Sequence, residues 1–172
     1  SGDLFIKPVN WKPVITAPHG YVLGLAFGII LESDLIVAEE GTKIQLTETS
    51  RGLGGSKYWS LMQFRGASTF ATEIALTGRF FSVEEGHAAG IIDRVAPKGQ
   101  YLEVAMDLAR QIAANPPLSV RATVRTRRLK MEQIGREAQA QLNAQKLFLT
   151  EDFHEAASAF AEKRKPNKFK GR

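Results

Sequence analysis

The chain has 172 residues, of which 44% are hydrophobic and 24% are charged, a balance typical of a soluble globular protein. It contains no cysteine, which excludes disulfides, thiolate catalysis and zinc-thiolate sites and favours a cytoplasmic location. No apolar run approaches the roughly 18 residues of a membrane span, and we expect neither a signal peptide nor a membrane partner.

Charge is distributed unevenly along the chain. Residues 1–118 carry 10 basic and 12 acidic side chains, a net charge of −2, whereas residues 119–172 carry 13 and 6, a net charge of +7. Six of the last ten residues are basic. A basic end predicts an anionic partner, although a solvated tail that only aids solubility has the same composition.

The first half of the chain alternates between strand-like and helix-like patterns of apolar residues. Strands are predicted at 13–18, 34–38, 43–46 and 91–95, and helices at 25–33, 57–65 and 68–76. The segment Ser82 to Glu85 has the pattern of a capping box and predicts a short helix that ends near Ala89. Gly78 and Gly90 stand where helix C-terminal caps are expected.

The second half of the chain has helical patterns throughout. Helices are predicted at 101–114, 117–128, 130–149 and 151–162. Pro117 is well placed to begin the second of these, because proline at the first helical position costs no hydrogen bond. The pattern therefore predicts an α/β layer over residues 1–97, followed by a helical region over residues 98–172.

A turn of small residues ends at Gly24 and leads directly into the first predicted helix, which begins at Leu25. A helix N-terminus carries unpaired N–H groups and a partial positive charge, and glycine lets a polar ligand atom approach the backbone closely. An acid or base beside such donors is what an enzyme needs to move a proton next to a carbonyl whose oxygen becomes anionic.

Three carboxylates near this helix are candidates for that acid or base. Glu48 follows a short strand in a threonine-rich segment, and in a half-buried cleft its pKa would rise towards that of a general base. Spacing alone leaves a catalytic and a structural role for Glu48 equally open. For Glu32 and Asp34, where the first helix ends, a structural role is favoured.

The glycine-rich segment from Arg51 to Lys57 does not match a phosphate-binding loop, because Ser56 precedes Lys57 and Tyr58 follows it. The dinucleotide-binding pattern fails as well, so we predict a loop that shapes a pocket. The three histidines do not have metal-ligand spacing, and we expect no bound metal.

A series of short segments, in a fixed order, points to a known family. The segments are Lys12–Ala17, Gly20–Gly24, Asp34–Ala38, Leu76–Arg79, Ser82–Glu85, Ala88–Ile92, Ala113–Pro117, Thr150–Asp152, Ala159–Pro166 and Phe169–Arg172. The series resembles the C-terminal two-thirds of the enoyl-CoA hydratase/isomerase (crotonase) family. The resemblance covers nearly the whole chain from Trp11 onward.

The resemblance implies a crotonase-like spiral of β-β-α units followed by a helical C-terminal region, assembled as a homotrimer or hexamer. It implies an acyl-CoA substrate, with coenzyme A as part of that substrate and no other cofactor. The thioester oxygen would lie between two backbone N–H donors, one of them that of Leu25, next to Gly24. Glu48 matches the family's second acidic position, and Phe160 and Lys163 match positions that help to hold coenzyme A, often from a neighbouring subunit.

The chain also departs from the family pattern. The family's first acidic position is Gly28 in this chain. The turn that usually contains three glycines is Gly24-Leu25-Ala26, which keeps the N–H donor and adds bulk. The N-terminal part of the family's fold, with the other donor and much of the coenzyme A site, would precede Lys12, and we expect it to be absent here.

These departures bear on the expected chemistry. Hydration in this family usually uses two carboxylates on one water, whereas moving a double bond needs one base. With Gly28 at one position, Glu48 favours isomerase-like or other one-base chemistry, while hydration stays open because Glu32 lies one helical turn from Gly28. The alternative is a catalytically inactive binding or assembly module. Nucleic-acid binding is disfavoured, because the basic residues are not interleaved with an aromatic platform.

Overall fold

The structure is a computed structural model that describes residues 10–172, so the beginning of the predicted 1–97 layer lies outside the described residues. The strands are β1 Ile15–Thr16, β2 Tyr21–Leu23, β3 Leu35–Glu39, β4 Lys43–Gln45, β5 Phe80–Ser82 and β6 Arg94–Ala96. The helices are α1 Leu25–Glu32, α2 Ser56–Arg65, α3 Ser68–Thr77, α4 Val83–Ala88, α5 Tyr101–Ala113, α6 Pro117–Ala144 and α7 Glu151–Ala161. Two short 3₁₀ turns span Thr49–Arg51 and Leu147–Leu149.

The strands form two sheets of three strands each. In the first sheet β3 lies between β1 and β6, and all three strands run parallel. In the second sheet β4 lies between β2, to which it is parallel, and β5, to which it is antiparallel. Leu23 lies opposite Gln45, and the N–H of Gly24 donates to the carbonyl of Gln45 at 3.0 Å. The strands β2 and β4 therefore end next to each other, at the same edge of the sheet.

The hydrophobic core surrounds α1. This helix is apolar on nearly all sides, and its Phe27 and Leu31 are fully buried. Phe27 meets Phe81 of β5 edge-on, with 5.5 Å between the ring centroids. Met62 of α2 and Met131 of α6 complete the same core. The buried helix expected from the sequence is confirmed.

The helical second half packs directly on these layers. Helix α5 lies against β1, β3 and β6, and α6 lies along α2. The predicted boundary at residue 97 falls in the connection between β6 and α5, and a division into two domains there stays a prediction. Within residues 10–172, no helix combines the length and apolar character that crossing a membrane requires.

The capping box predicted before α4 is confirmed. The hydroxyl of Ser82 accepts from the N–H of Glu85 at 3.2 Å, and the carboxylate of Glu85 accepts from the N–H of Ser82 at 2.9 Å. The strand predicted at 91–95 is displaced to Arg94–Ala96. Its expected first residues, Ile91 and Ile92, donate their N–H groups to the carbonyl of Gly86 rather than to a neighbouring strand.

The prediction of two helices at 117–128 and 130–149 is wrong. A single helix runs from Pro117 to Ala144, and the chain then forms the 3₁₀ turn Leu147–Leu149. Leu129 and Lys130, at the expected break, are both good helix formers, so nothing in the local sequence interrupts the helix.

A buried ion pair fastens α6 to the sheet. Asp34, directly before β3, accepts hydrogen bonds from Arg127 and Arg128 of α6 and from the N–H of Val14. Arg128 is 1% exposed and also donates to two backbone carbonyls of the segment before β1, at 2.6 Å each. The structural role predicted for Asp34 is confirmed, because its carboxylate joins three separate segments.

Removing this carboxylate would leave Arg128 buried without a counter-charge. We expect Asp34→Ala to lower the free energy of unfolding by about 3–5 kcal/mol, measured by urea denaturation. The exposed pair of Asp107 with Arg110 is a matched control, and Asp107→Ala should change the free energy by less than about 1 kcal/mol. Equal losses in the two variants would contradict this assignment.

Candidate active site

The ends of β2 and β4 bring Gly24 against Glu48. Gly24 has φ of 51°, a backbone conformation that favours glycine. A Cβ at Gly24 would lie 2.7 Å from Oγ1 of Thr47 and 3.5 Å from Oε1 of Glu48. No residue with a side chain fits here without displacing Thr47, so the absence of a side chain is what allows the close approach.

Leu25 begins α1 directly after this glycine. The N–H of Gly28 donates to the carbonyl of Gly24 at 3.1 Å, the first i to i−4 hydrogen bond of the helix. The N–H groups of Leu25, Ala26 and Phe27 come before it, where a helix has no internal acceptors, and they carry the positive end of the helix dipole. The structure thus places the predicted donor, Leu25, directly after the glycine that lies close to Glu48.

Glu48 lies at the start of the 3₁₀ turn Thr49–Arg51. Its Oε2 atom is buried and has no hydrogen-bond partner among the described residues. Burial raises the pKa of the Glu48 carboxyl above its usual value, an effect larger than the opposite one of the backbone N–H groups of Thr47 and Glu48. A half-buried carboxylate with an unused oxygen is well suited to exchange a proton with a ligand.

A cavity of about 330 Å³ opens beside Glu48. Its walls come from the glycine-rich loop, from α2 and from the end of α6 with the turn that follows. It is lined by Glu48, Leu53, Gly54, Gly55, Lys57, Tyr58, Gln139, Leu142, Asn143, Lys146, Leu147 and Phe148. A Cβ at Gly54 would lie 2.1 Å from Cδ1 of Leu142, so glycine lets α6 approach the loop. The prediction that this loop shapes a pocket is confirmed.

Tyr58 is a site residue that the sequence analysis missed. Its ring lies against Gly28, where a Cβ would be 2.4 Å from Cε1 and 3.0 Å from the phenol oxygen. Burial and the negative charges of Glu48 and Glu32 raise the pKa of Tyr58 to about 12. Thirty positions separate the two residues in the sequence, and no local pattern relates them.

Glu32, the other carboxylate considered for this cleft, is paired. It is fully buried, and its Oε1 lies 2.8 Å from Nζ of Lys57, which lines the cavity. A buried carboxylate with an ammonium partner is held as an ion pair, so Glu32 fits the structural role that the sequence favoured.

Phe160 and Lys163, the predicted coenzyme A contacts, lie in a separate cavity of about 290 Å³. Arg51 lines the same cavity, and its guanidinium lies 3.5 Å from the centroid of the Phe160 ring. Glu48 does not line it. The structure therefore does not bring these two residues into the Glu48 cavity, although the turn Thr49–Arg51 connects the two places. Gly24 and Leu25 lie close to Glu48 but are not among the residues that line its cavity.

Three other features were candidates for a site: a second groove, the histidines and a metal-binding cluster. A larger, mainly apolar groove of about 500 Å³ lies between β1, α5 and the start of α6, and no carboxylate of residues 10–172 lines it. Nδ1 of His87 lies 2.9 Å from the carbonyl of Ile92, a backbone contact that holds the ring in place. In the described part of the chain, no group of three or more histidine, cysteine, aspartate or glutamate side chains could hold a metal ion.

Comparison with known proteins identifies the family. The family model described as Enoyl-CoA hydratase/isomerase matches residues 7–172. The chain belongs to the enoyl-CoA hydratase/isomerase family. It spans only part of its relatives, covering 59% and 64% of the two proteins compared below.

Two curated relatives illustrate the match. Mevalonyl-coenzyme A hydratase sidH of Aspergillus fumigatus is 37% identical over 161 residues, which are 90% of this chain and 59% of that protein. The 2,3-dehydroadipyl-CoA hydratase of Escherichia coli is 35% identical over 166 residues, which are 94% of this chain and 64% of that protein.

Solved structures agree with the predicted fold. A carnitinyl-CoA dehydratase from Mycobacterium avium 104 superposes with a TM-score of 0.83 at 32% identity, covering 94% of this chain and 65% of that one. A methylmalonyl-CoA decarboxylase superposes with a TM-score of 0.80 at 25% identity, with the same coverage. The expected crotonase-like fold with a helical C-terminal region is confirmed.

The raised pKa of Glu48 gives stability a defined pH dependence. The folded protein binds this proton more tightly than the unfolded chain, so the free energy of unfolding falls as pH rises from 4.5 through the raised value. Glu48→Gln removes this titration. We expect the variant to gain stability relative to the native protein between about pH 4 and pH 7, measured by chemical denaturation at both pH values.

The exposed Glu84 of α4 provides the control. Glu84→Gln should leave the difference between the two pH values close to that of the native protein. A Glu48→Gln variant that loses stability relative to the native protein as pH rises would contradict the burial effect.

Proposed function

We propose that this chain forms part of an acyl-CoA enzyme in which Glu48 transfers a proton at the carbon next to the thioester carbonyl. The observation that carries the proposal is the position of the Glu48 carboxylate close to Gly24, where a Cβ would lie 3.5 Å from Oε1 of Glu48, directly before the first N–H groups of α1. A proton-transfer group beside an oxyanion donor is the combination that enolate chemistry requires.

The proposed reaction uses each part of the site in turn. The Glu48 carboxylate removes the α-proton, and its raised pKa makes it a stronger base than an exposed glutamate. The electron pair moves towards the thioester oxygen. The N–H of Leu25, supported by the α1 dipole, stabilises the negative charge that develops there. Glu48 then returns a proton to the same carbon or to another carbon of the acyl chain.

One-carboxylate chemistry of the isomerase type is the reaction that we favour slightly. Position 28 is glycine, and Glu32 is already paired with Lys57. A single base is sufficient to move a double bond. Hydration remains the second candidate reaction, because the two curated relatives are named as hydratases.

The coenzyme A contacts fit an assembly of several copies. Phe160 and Lys163 lie outside the Glu48 cavity of their own chain. We propose that in a trimer or hexamer they contact the coenzyme A bound by a neighbouring copy, where the Lys163 ammonium would pair with phosphate. This assignment follows the family pattern by position.

A catalytically inactive binding or assembly module is the alternative, favoured by the glycine at position 28. Calorimetry with an acyl-CoA, followed by a turnover assay on the same preparation, separates the two functions. Tight binding without turnover would favour the inactive module.

Glu48→Gln should lower turnover of an enoyl-CoA substrate in the full-length protein by at least ~100-fold, since it removes the acid–base group while keeping its shape. Steady-state kinetics measure the effect. Glu84→Gln, an exposed change on α4, is the matched control. Near-native activity of the Glu48 variant would remove Glu48 from the mechanism.

Leu25→Pro tests the oxyanion donor directly. Proline is tolerated at the first helical position, where it removes the N–H donor and also replaces the leucine side chain. We expect turnover to fall by about 10²–10³-fold with circular dichroism unchanged. Leu25→Ala, which keeps the N–H and removes the side chain, should lose much less. Equal losses in the two variants would show that the side chain, and not the N–H, matters.

A further inference from the structure

The ring of Tyr58 leaves no room for a side chain at position 28. The 2.4 Å between Cε1 of Tyr58 and a Cβ at Gly28 is too short for any side chain at position 28 while the ring stays in place. The ring therefore occupies the volume into which a side chain at position 28 would project. The phenol oxygen lies at that point as well, 3.0 Å from the same Cβ position.

Tyr58 lines the same cavity as Glu48. No residue in the described range 10–172 forms a hydrogen bond with this hydroxyl, so its proton is available to a ligand. Because the pKa of Tyr58 is raised to about 12, the phenol stays protonated near neutral pH. It is therefore a hydrogen-bond donor and not a second base.

We propose that the Tyr58 hydroxyl is the second polar group of the site and binds the oxygen atom at the β-carbon of the acyl chain. This role belongs to the second candidate reaction, hydration, in which water adds to a 2-enoyl thioester or a 3-hydroxyacyl thioester loses it. This inference rests on the proposed role of Glu48.

The atoms balance with Glu48 as the single proton carrier. The water oxygen forms a bond to C3 of the 2-enoyl thioester while Glu48 accepts a proton from that water. The C2=C3 electron pair moves towards the thioester oxygen at the Leu25 N–H. Glu48 then gives the same proton to C2, which yields the 3-hydroxyacyl thioester. Tyr58 donates a hydrogen bond to the water oxygen throughout and transfers no proton.

The rest of the cavity is suited to an oxygen-bearing acyl chain. Gln139, Asn143 and Lys146 line it beyond Tyr58. The amide of Gln139 donates to the side-chain oxygen of Asn143 at 2.7 Å, which orients both groups. Together with Tyr58, these groups give the cavity a polar side at which an oxygen-bearing acyl chain can form hydrogen bonds.

The experiment compares two reactions that differ in their need for Tyr58, using the full-length protein. Hydration of crotonyl-CoA needs Glu48 and the β-oxygen contact. Exchange of the α-protons of butyryl-CoA in D₂O, followed by NMR, needs Glu48 and the oxyanion donor but no β-oxygen. We expect Tyr58→Phe to lower kcat/KM for hydration by about 10- to 100-fold and to change the exchange rate by less than about twofold.

Two further variants make the outcomes distinct. Glu48→Gln should lose both reactions, and exchange at the native rate in that variant would contradict the proposed function itself. Tyr101→Phe, a phenol on α5 that stacks on His19, should keep both reactions. Parallel losses of both reactions in Tyr58→Phe, or no loss of either, would overturn the role of Tyr58.

Discussion

The parallel pairing of β2 with β4 is the constraint on which the site depends. Strands that run in the same direction end at the same edge, and the hydrogen bond from Gly24 to Gln45 fixes where that edge lies. A slip of one residue would turn alternate side chains to the opposite face and separate Glu48 from the start of α1. The glycine adds the second requirement, because only a residue without a side chain fits beside Thr47.

The buried carboxylates differ in whether they have a partner. Asp34 and Glu32 each have a cationic partner, and Asp34 also accepts a backbone N–H, so these two groups hold elements together. The buried Oε2 of Glu48 has no hydrogen-bond partner in the part of the chain that the structure describes, and burial raises the pKa of this carboxyl. Desolvation without compensation is unfavourable for stability, and it is the condition under which a carboxylate exchanges protons at useful pH values.

Membership of the family indicates the fold, whereas the departures from the family pattern indicate how this site differs. The match to the enoyl-CoA hydratase/isomerase family and to its solved structures supplies the family and the fold. The glycine at position 28 would by itself indicate a site with one functional group fewer. In the structure the ring of Tyr58 lies against that glycine, in the space that a side chain at position 28 would need. The glycine and the position of Tyr58 therefore depend on each other. A protonated phenol is uncharged, unlike a carboxylate, and its oxygen lies 3.0 Å from the Cβ position of residue 28.

The sequence alone determined the family and the start of α1 at Leu25, because these depend on local patterns of apolar residues, caps and glycines. It did not predict β2 or β5, and the segment predicted as a turn before Gly24 contains β2, which pairs with β4. It also indicated Glu48, but it left a catalytic and a structural role equally open. Only the tertiary structure decided that Glu32 is paired and that Tyr58 lies on Gly28. Those outcomes depend on contacts between segments distant in the chain, whose packing no local pattern encodes.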